Sequence, residues 1–454
     1  MRIVIIGDGK VGFQLATQLS EEDYDIVLID NNEKKLRAAS DKLDIFCVVG
    51  DGANVEVQTE AGVPQADLVI ACASTDEFNM LACLIARRLG ARHTIARVRN
   101  PIYYKQIDLL KEDLHLSMVV NPELIVAQEI SRLLIFPEAS KIETFVKGKV
   151  ELLELPIGAD SPLAGLSLKE MYIKYQIKLL VCAVERGEQV IIPDGDFVMQ
   201  EGDYLHITAT HKELERFFKL LKRKKKIRRV LICGGGKVSY YLARQLLAIG
   251  MEVKIVEINE AKCEDLCELL PKATIIYGDA TNHDLLMEEG IGEADALVSL
   301  MRMDEENIII SLFAQKQNVA KVVLKVNEDS RMGMIGEDFG LRCVVSAKTV
   351  TADAIVSYVR ARHNSQGSAN VETMYRLIGG KVEALEFAIK SDTNYTQIPL
   401  KDLKLKSGNL IACIARKRNI IIPNGDDCIL KGDNVVVVTM ESRIQDMQDI
   451  LMQE

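Results

Sequence analysis

Two glycine-rich stretches, far apart in the chain, have the composition of a turn that can hold a phosphate group. Each follows an apolar run and precedes a predicted helix; they are Gly7-Asp8-Gly9-Lys10-Val11-Gly12 and Gly234-Gly235-Gly236-Lys237-Val238. In such a turn the first glycine allows a tight bend, and the second lets backbone N–H groups at the helix start approach an anion. One such stretch would be weak evidence, so the neighbouring residues must support it.

An acidic residue ends the next apolar run in each copy, about 20 residues further on. These residues are Asp30 and Glu257. A carboxylate at this position accepts hydrogen bonds from both hydroxyls of a ribose and repels a 2′-phosphate, which favours NAD, ATP or ADP over NADP. The alternative is that Asp30 only caps the helix predicted at NNEKKLRAA.

Further side chains are predicted at the same edge of the sheet, where the strands end. They are Asp51 and Asp279 at the third strands, Ala73 and Ser74 at the fourth, and Arg97 and Lys325 at the fifth. The two cations can reach a phosphate, and the small pair leaves room for a ligand. The two aspartates either contact an adenine, position their loop or cap a helix. Lys10 points toward the phosphate end and would distinguish a triphosphate from NAD.

The second copy departs from the pattern of the first. Ser239 stands where the first turn has Gly12, and Met301 and Arg302 match Ala73 and Ser74. Because methionine and arginine change the shape and charge of a pocket, we predict two sites that differ in affinity or in preferred nucleotide.

The elements that must position these residues are themselves repeated. Shifted by 227 or 228, IVLID (26–30) matches VKIVE (253–257), and GDGAN (50–54) matches GDATN (278–282). The predicted strands are continuous apolar runs, five in each copy, which is typical of a parallel sheet covered on both faces. We therefore predict an α/β protein with two Rossmann-like, doubly wound parallel-sheet domains.

A shorter repeat follows each of these units. IIPDGDFVMQEGDYLHI (191–207) matches IIPNGDDCILKGDNVVVV (421–438), and the pattern around it predicts a small α+β module of β–α–β–β order, closed by a short helix. The predicted domains are a first nucleotide-binding domain at 1–125, a first module at 140–221, a second nucleotide-binding domain at 227–350 and a second module at 368–450.

Composition argues against several classes of function. The chain of 454 residues carries a net charge of −10, which disfavours a general binder of nucleic acid. No apolar run approaches the roughly 18 residues that span a bilayer and no signal peptide follows Met1, so we expect a soluble, cytoplasmic protein. The cysteines and histidines lack metal-binding spacing, which favours reduced core thiols. The basic run KRKKKIRR (222–229) is either a solvated linker or a contact with an anionic surface.

Catalysis is not expected. An oxidoreductase needs a second domain that holds a substrate over the nicotinamide and supplies an acid or a base. Here the intervening modules are small, and His206 and His211 of the first have no counterparts in the second. The alternatives are an NAD-dependent oxidoreductase with a duplicated cofactor domain, and a redox- or nucleotide-sensing protein that acts on some other partner.

The ordered duplication resembles the TrkA family, the cytosolic NAD-binding subunits of Trk potassium uptake systems, which carry two RCK (KTN) domains in tandem. The resemblance is carried by GDGKVG, VLID, GDGAN, ADLVIACASTDEFNMLAC, ARVRNP and NPELIVAQEISRLL, and by the second round of motifs. It covers essentially the whole chain and is specific because of the order of the motifs.

The resemblance implies a regulatory subunit that binds NAD(H), and ATP or ADP, and controls a membrane potassium-transporting subunit of the Trk type. It implies a peripheral position on the inner face of the cell membrane and a homo-oligomer in which four chains form a ring of eight lobes. The apolar helices predicted at 124–136 and 349–360 are either crossover helices that pack on a neighbouring lobe or ordinary core helices.

Overall fold

The chain forms two compact units, each built from both halves of the duplication. The structure is a computed structural model that describes residues 1–22, 24–145, 150–221, 226–327, 339–366, 371–378, 381–417, 419–441, 444 and 446–452. One unit comprises Met1–Ser131 with Ile227–Val356, and the other comprises Arg132–Lys226 with Ser357–Glu454. Part of the basic run, at 222–225, lies outside the described residues. Within the described ranges, no helix has both the length and the apolar character that crossing a bilayer demands.

The first unit contains two lobes with the same architecture, in which β-branched and apolar runs form the strands. The first lobe consists of β1 (Arg2–Ile6), α1 (Lys10–Ser20), β2 (Asp25–Asp30), α2 (Glu33–Ser40), β3 (Phe46–Val49), α3 (Val55–Glu60), β4 (Leu68–Ala71), α4 (Asp76–Leu89), β5 (His93–Arg97), α5 (Pro101–Leu110), β6 (Met118–Val120) and the start of α6 (Pro122–Ile135). A 3-10 turn at Val63–Gln65 leads into β4.

The first module follows the first lobe. It consists of β7 (Lys141–Phe145), β8 (Val150–Pro156), α7 (Leu168–Tyr175), β9 (Leu179–Arg186), β10 (Gln189–Ile191), β11 (Tyr204–Thr210) and α8 (His211–Leu220).

The second lobe repeats the first. It consists of β12 (Arg229–Cys233), α9 (Lys237–Ala248), β13 (Glu252–Glu257), α10 (Glu260–Leu269), β14 (Thr274–Tyr277), α11 (His283–Glu288), β15 (Ala296–Ser299), α12 (Asp304–Lys316), β16 (Lys321–Val326), β17 (Val344–Ser346) and the start of α13 (Ala347–Gln366). A 3-10 turn at Ile291–Glu293 precedes β15.

The strands of each lobe pair in parallel, in the orders β3-β2-β1-β4-β5-β6 and β14-β13-β12-β15-β16-β17. This is the doubly wound Rossmann order, and it confirms the predicted fold class. The sixth strands, β6 and β17, extend the predicted five. The strand order reverses at β1 and β4, and again at β12 and β15, so a crevice opens at their carboxyl ends, where both glycine turns lie.

The second unit contains two antiparallel sheets, one from each module. The second module consists of β18 (Val371–Leu377), β19 (Val382–Ala388), β20 (Asn409–Arg416), β21 (Asn419–Ile421) and β22 (Asp433–Thr439), with 3-10 turns at Leu400–Asp402 and Met447–Ile450. The sheet orders are β10-β9-β11-β8-β7 and β18-β19-β22-β20-β21. The two sheets share one core, formed by Val150, Leu152, Cys182, Val382, Ala384, Ala412, Cys413, Val436 and Val438.

The modules exceed the predicted β–α–β–β pattern by two strands each. β7 and β18 add an outer strand, and β10 and β21 form short hairpins with the preceding strand. In the second module a 3-10 turn replaces helix α7. The segment that leads to the next strand is shorter in the second module: Lys401 precedes β20 by 8 residues, whereas the matching Lys169 precedes β9 by 10. A second 3-10 turn, at Met447–Ile450, stands where a closing helix was predicted.

The apolar helix predicted at 349–360 falls within α13, and the one predicted at 124–136 matches α6 except for its last residue, Phe136, which follows the end of the helix. The apolar side chains that are buried are Val126, Ala127, Ile130, Leu133 and Leu134 in α6, and Ala352, Ile355, Val356 and Val359 in α13. Packing of either helix on a lobe of another chain stays a prediction.

Candidate nucleotide-binding clefts

The first glycine turn joins β1 to α1 in a geometry that favours glycine at two of its positions. Gly7 has a φ of +104°, and a Cβ built there would lie 2.8 Å from the backbone nitrogen of Ala73. A Cβ on Gly12 would lie 1.9 Å from the carbonyl oxygen of Gly7. At Gly9, in contrast, no atom lies within 4 Å of such a Cβ, so this face of the turn is open. An open backbone face at a helix start is what a phosphate requires.

Asp30 holds the first turn in place. Its Oδ2 accepts a hydrogen bond from the backbone N–H of Asp8 at 2.7 Å, and its Oδ1 accepts one from that of Asn32 at 2.8 Å. Helix α2 is capped by Asn32, whose side chain accepts from the N–H groups of Lys34 and Lys35. Asp30 is therefore not the cap of α2 but lies beside the turn. Its contact with a ribose stays a prediction.

The second turn repeats this arrangement with a longer acid. Gly234 has a φ of +100°, and a Cβ on Gly236 would again meet no atom within 4 Å. Glu257 accepts from the N–H of Gly235 at 2.6 Å through Oε2 and from that of Asn259 at 2.9 Å through Oε1. Asn259 caps α10, as Asn32 caps α2. The two clefts thus share one framework.

Ser239 stands in place of the third glycine without disturbing this framework. It is fully buried, and its hydroxyl donates a hydrogen bond to the carbonyl oxygen of Gly234. The matching carbonyl in the first turn is that of Gly7, and its oxygen lies where a Cβ on Gly12 would fall. The two turns therefore differ slightly in the path of the backbone.

Asp51 and Asp279 shape the loops that follow β3 and β14. Asp51 Oδ1 accepts from the N–H of Ala53 at 2.8 Å, and Asp279 Oδ1 accepts from the N–H of Thr281 at 2.8 Å. The caps of α3 and α11 are instead Asn54 and Asn282. In the structure both aspartates therefore position their loops and cap no helix. Their contact with an adenine stays a prediction.

Asn79, which sequence reasoning missed, fixes the end of β4 in the first cleft. Its Oδ1 accepts from the N–H of Ala73 at 2.8 Å, and its Nδ2 donates to the carbonyl oxygens of Ala73 at 3.2 Å and Arg97 at 3.0 Å. Asp76, at the start of the same helix, accepts from the N–H groups of Arg99 and Asn100 at 2.9 and 2.7 Å.

Asn307 and Asp304 repeat these roles in the second lobe. Asn307 bonds the backbone of Met301 and the carbonyl oxygen of Lys325, and Asp304 accepts from the N–H of Asn327. The signal was present in the sequence, because DEFN (76–79) and DEEN (304–307) fall at matching places in the two copies. The pattern joins the ends of the fourth and fifth strands in both lobes.

The predicted phosphate-side cations, Arg97 and Lys325, are half-buried. Arg97 donates from Nη2 to the carbonyl oxygen of Ala73 at 2.5 Å, and burial lowers the pKa of Arg97. Burial likewise lowers the pKa of Lys325, with Asp304 and Glu123 opposing the shift and Lys10 adding to it. Because Glu123 and Lys10 belong to the first lobe, charges of that lobe act on the second cleft.

The remaining predicted residues lie around the turns. Lys10 and Lys237 are the exposed first residues of α1 and α9, and Val11 and Val238 are buried behind them. Ser74 is exposed beyond β4, as is its counterpart Arg302 beyond β15. An arginine in place of a serine at this rim gives the second cleft a cation that the first lacks.

Paired Rossmann lobes with open glycine turns, each followed in the chain by an antiparallel module, define the class of this protein: a duplicated α/β protein with two nucleotide-type clefts. The TrkA-N domain model matches residues 3–122 and 230–347, and the TrkA-C domain model matches residues 152–222 and 384–452. The chain belongs to the TrkA family.

Individual relatives agree with this assignment. The Trk system potassium uptake protein TrkA homolog 1 of Methanosarcina mazei is 30% identical, over 99% of this chain and 99% of its own. The GsuK channel bound to NAD aligns with a TM-score of 0.63 at 18% identity, over 96% of this chain and 76% of that chain. GsuK bound to ADP aligns with a TM-score of 0.52 at 16% identity, over 80% of this chain and 69% of that chain. At such identities the two structures show a shared fold.

Proposed function

We propose that this chain is the nucleotide-binding regulatory subunit of a Trk-type potassium uptake system. The observation that carries the proposal is the repeated turn: Asp30 and Glu257 each accept a hydrogen bond from a turn N–H, and Gly9 and Gly236 leave an open backbone face. Support also comes from the names of relatives, which include a Trk potassium uptake protein and a channel solved with NAD and with ADP.

Each cleft holds NAD(H), ATP or ADP through groups of its own lobe. The phosphates lie against Gly9 or Gly236 at the start of α1 or α9, where free N–H groups and the helix dipole favour an anion. Asp30 and Glu257 accept from the ribose hydroxyls, and Lys10 and Lys237 supply charge toward the phosphates.

The nucleotide acts as a signal and is not transformed. A ligand shifts a conformational equilibrium only through its difference in affinity for the two states, and such coupling is typically about 1–3 kcal/mol per site. Lys325 senses charges of the first lobe, so occupancy of either cleft alters the electrostatics between the lobes. We propose that four chains assemble into a ring of eight lobes, on the cytoplasmic face of the membrane, against the potassium-transporting subunit.

Potassium flux is the direct test. The transporting subunit is reconstituted in vesicles with the full chain, and flux is measured with no nucleotide and with NADH, NAD, ADP or ATP. We expect flux to depend on the nucleotide, and Gly9→Asp with Gly236→Asp to abolish that dependence. Flux that ignored every nucleotide would contradict the proposal. Steady oxidation of NADH by the purified chain, with candidate substrates supplied, would instead favour the oxidoreductase alternative.

A further inference from the structure

The two glycine turns differ at their second residue, which is Asp8 in the first and Gly235 in the second. The first glycine of both turns has the same left-handed conformation, with φ of +104° at Gly7 and +100° at Gly234. Asp8 is only 7% exposed although it lies at the mouth of a cleft. A nearly buried carboxylate at this place needs a physical reason.

The carboxylate of Asp8 lies beside that of Asp30. The backbone N–H of Asp8 donates to Asp30 Oδ2 at 2.7 Å, and the charges of Asp30 and Lys35 both act on the Asp8 carboxylate. Among the described residues, none donates a hydrogen bond to the carboxylate oxygens of Asp8. An acceptor at a cleft that no described protein group fills, next to a second carboxylate, is available to a hydroxyl donor of a ligand.

The second lobe has no room for such a residue. A Cβ on Gly235 would lie 2.7 Å from Leu266 Cδ1 and 2.9 Å from the Cβ of Glu257. When the helix caps Asn32 and Asn259 are aligned, the position of Leu266 is taken in the first lobe by Ala39, a smaller side chain that leaves space for Asp8. The first cleft therefore has two short acids where the second has one long acid.

We propose that Asp8 is a specificity-determining residue of the first cleft, which accepts a hydrogen bond from the adenine-side ribose of the nucleotide together with Asp30. This inference rests on the proposed function. Two carboxylates match the two hydroxyls of a free ribose diol and repel a 2′-phosphate more strongly than one does. The first cleft is thus selective for adenine nucleotides with an unmodified ribose, whereas the second, with one acid and Arg302 at its rim, discriminates less.

Calorimetric titration of the full chain tests this with ADP, 2′-deoxy-ADP, NAD and NADP as probes. Gly236→Asp silences the second cleft and Gly9→Asp the first, so each cleft is measured alone. In the first cleft we expect ADP to bind about tenfold more tightly than 2′-deoxy-ADP, and Asp8→Gly to remove most of that ratio. The same substitution should raise the affinity for NADP relative to NAD about tenfold. In the second cleft Asp8→Gly should change neither ratio.

Asp8→Asn separates hydrogen bonding from charge. Because an amide oxygen still accepts from a hydroxyl, this variant should keep the preference for ADP over 2′-deoxy-ADP but bind NADP better than the parent chain does. Thermal melting of each variant checks that it is folded. Unchanged ratios in both variants would overturn the inference alone, whereas a parent chain that bound no adenine nucleotide would overturn the proposed function as well.

Discussion

The side-chain amide of Asn121 donates a hydrogen bond of 2.9 Å to the hydroxyl of Tyr241, and both side chains are buried. Asn121 precedes α6, and its Oδ1 accepts a hydrogen bond of 2.9 Å from the backbone N–H of Leu124, so it also caps that helix. Tyr241 lies in α9, which begins at the second glycine turn. The residue that caps α6, the helix that leaves the first lobe, is therefore hydrogen-bonded to α9, the helix that would hold the phosphates of the second cleft.

We predict that Tyr241→Phe weakens communication between the clefts. The substitution leaves the Asn121 amide without an acceptor, which should lower the free energy of unfolding by about 1–2 kcal/mol. The affinity of the second cleft for ADP should depend less on whether NADH fills the first, because α6 and α9 no longer move together. Titration of ADP with and without saturating NADH measures this dependence.

Tyr240→Phe is the matched control, since the neighbouring ring packs against Tyr241 and Arg244 without taking part in the bond to Asn121. It should leave both stability and coupling near those of the parent chain. An equal loss of coupling in the two variants would show that the hydroxyl of Tyr241 does not carry the effect.

The glycines of the first turn should separate stability from binding. Gly12→Ala places a Cβ 1.9 Å from the oxygen of Gly7 and should cost about 1–3 kcal/mol of unfolding free energy through overpacking. Gly9 has a φ of −86° and open space around it, so Gly9→Ala should leave stability within about 0.5 kcal/mol while weakening nucleotide binding. Chemical denaturation and NADH titration measure the two effects.

A control for this prediction comes from the second turn. Ser239→Ala keeps a Cβ at the position of the third glycine and removes only the hydrogen bond to Gly234, so it should cost about 1 kcal/mol. If Gly12→Ala were no more destabilising than Gly9→Ala, the steric account of the first turn would be wrong.

The duplication explains why so much of the fold could be predicted from the sequence. Gly7 and Asp30 of the first copy recur as Gly234 and Glu257 of the second, each after an apolar run. In each copy the structure brings the two residues to the same edge of one parallel sheet. Local patterns of this kind depend on residues close in sequence or on strands of obvious composition. The parallel-sheet class was therefore predictable.

Contacts that occur in one half only were not predictable. Asn121 follows β6 directly, but its counterpart in the second lobe is Ser346, and Gln14 stands where Tyr241 would fall when Gly9 and Gly236 are aligned. No repeat marks this bond, and it joins residues 120 positions apart. The missing helix in the second module escaped prediction for a similar reason, since it depends on a difference in length and not on residue type.

Asp8 should make stability depend on pH. Burial and the charge of Asp30 raise the pKa of Asp8 above its ordinary value of 3.8, and Lys35 opposes the shift. The folded state thus holds the proton more tightly than the unfolded state does, so the stabilising contribution is full below 3.8 and is lost as the pH rises through the folded-state pKa. Asp8→Asn should therefore raise the free energy of unfolding at neutral pH.

Urea denaturation followed by circular dichroism measures this, since the chain has no tryptophan. The gain from Asp8→Asn should grow as the pH rises from 4 and then level off above the folded-state pKa. Asp51→Asn, at an exposed carboxylate whose bond to Ala53 an amide preserves, should show no such gain. A gain that was the same at every pH would mean that the charge of Asp8 is not its cause.

A paired arginine and aspartate secure the sheet of each module. Arg186 reaches Asp203 through Nε and Nη2 at 2.7 Å each, and the Asp203 side chain is fully buried. Burial by itself would raise the pKa of Asp203, but hydrogen bonds from Arg186 and from the N–H of Gln200 hold it below its ordinary value of 3.8. Its contribution to stability is therefore present above pH 3.8 and is lost as the pH falls through the folded-state pKa.

Asp203→Asn should accordingly destabilise the first module by about 3 kcal/mol at neutral pH, because it leaves the guanidinium of Arg186 without its buried partner. Arg186→Met combined with Asp203→Asn should recover part of that loss, since no unpaired charge then remains. Arg416 and Asp433 make the same two contacts at 2.9 Å in the second module, so Asp433→Asn should cost a similar amount there. Denaturation of the single and double variants gives the coupling between the partners, and additive losses would show that the pair contributes no interaction of its own.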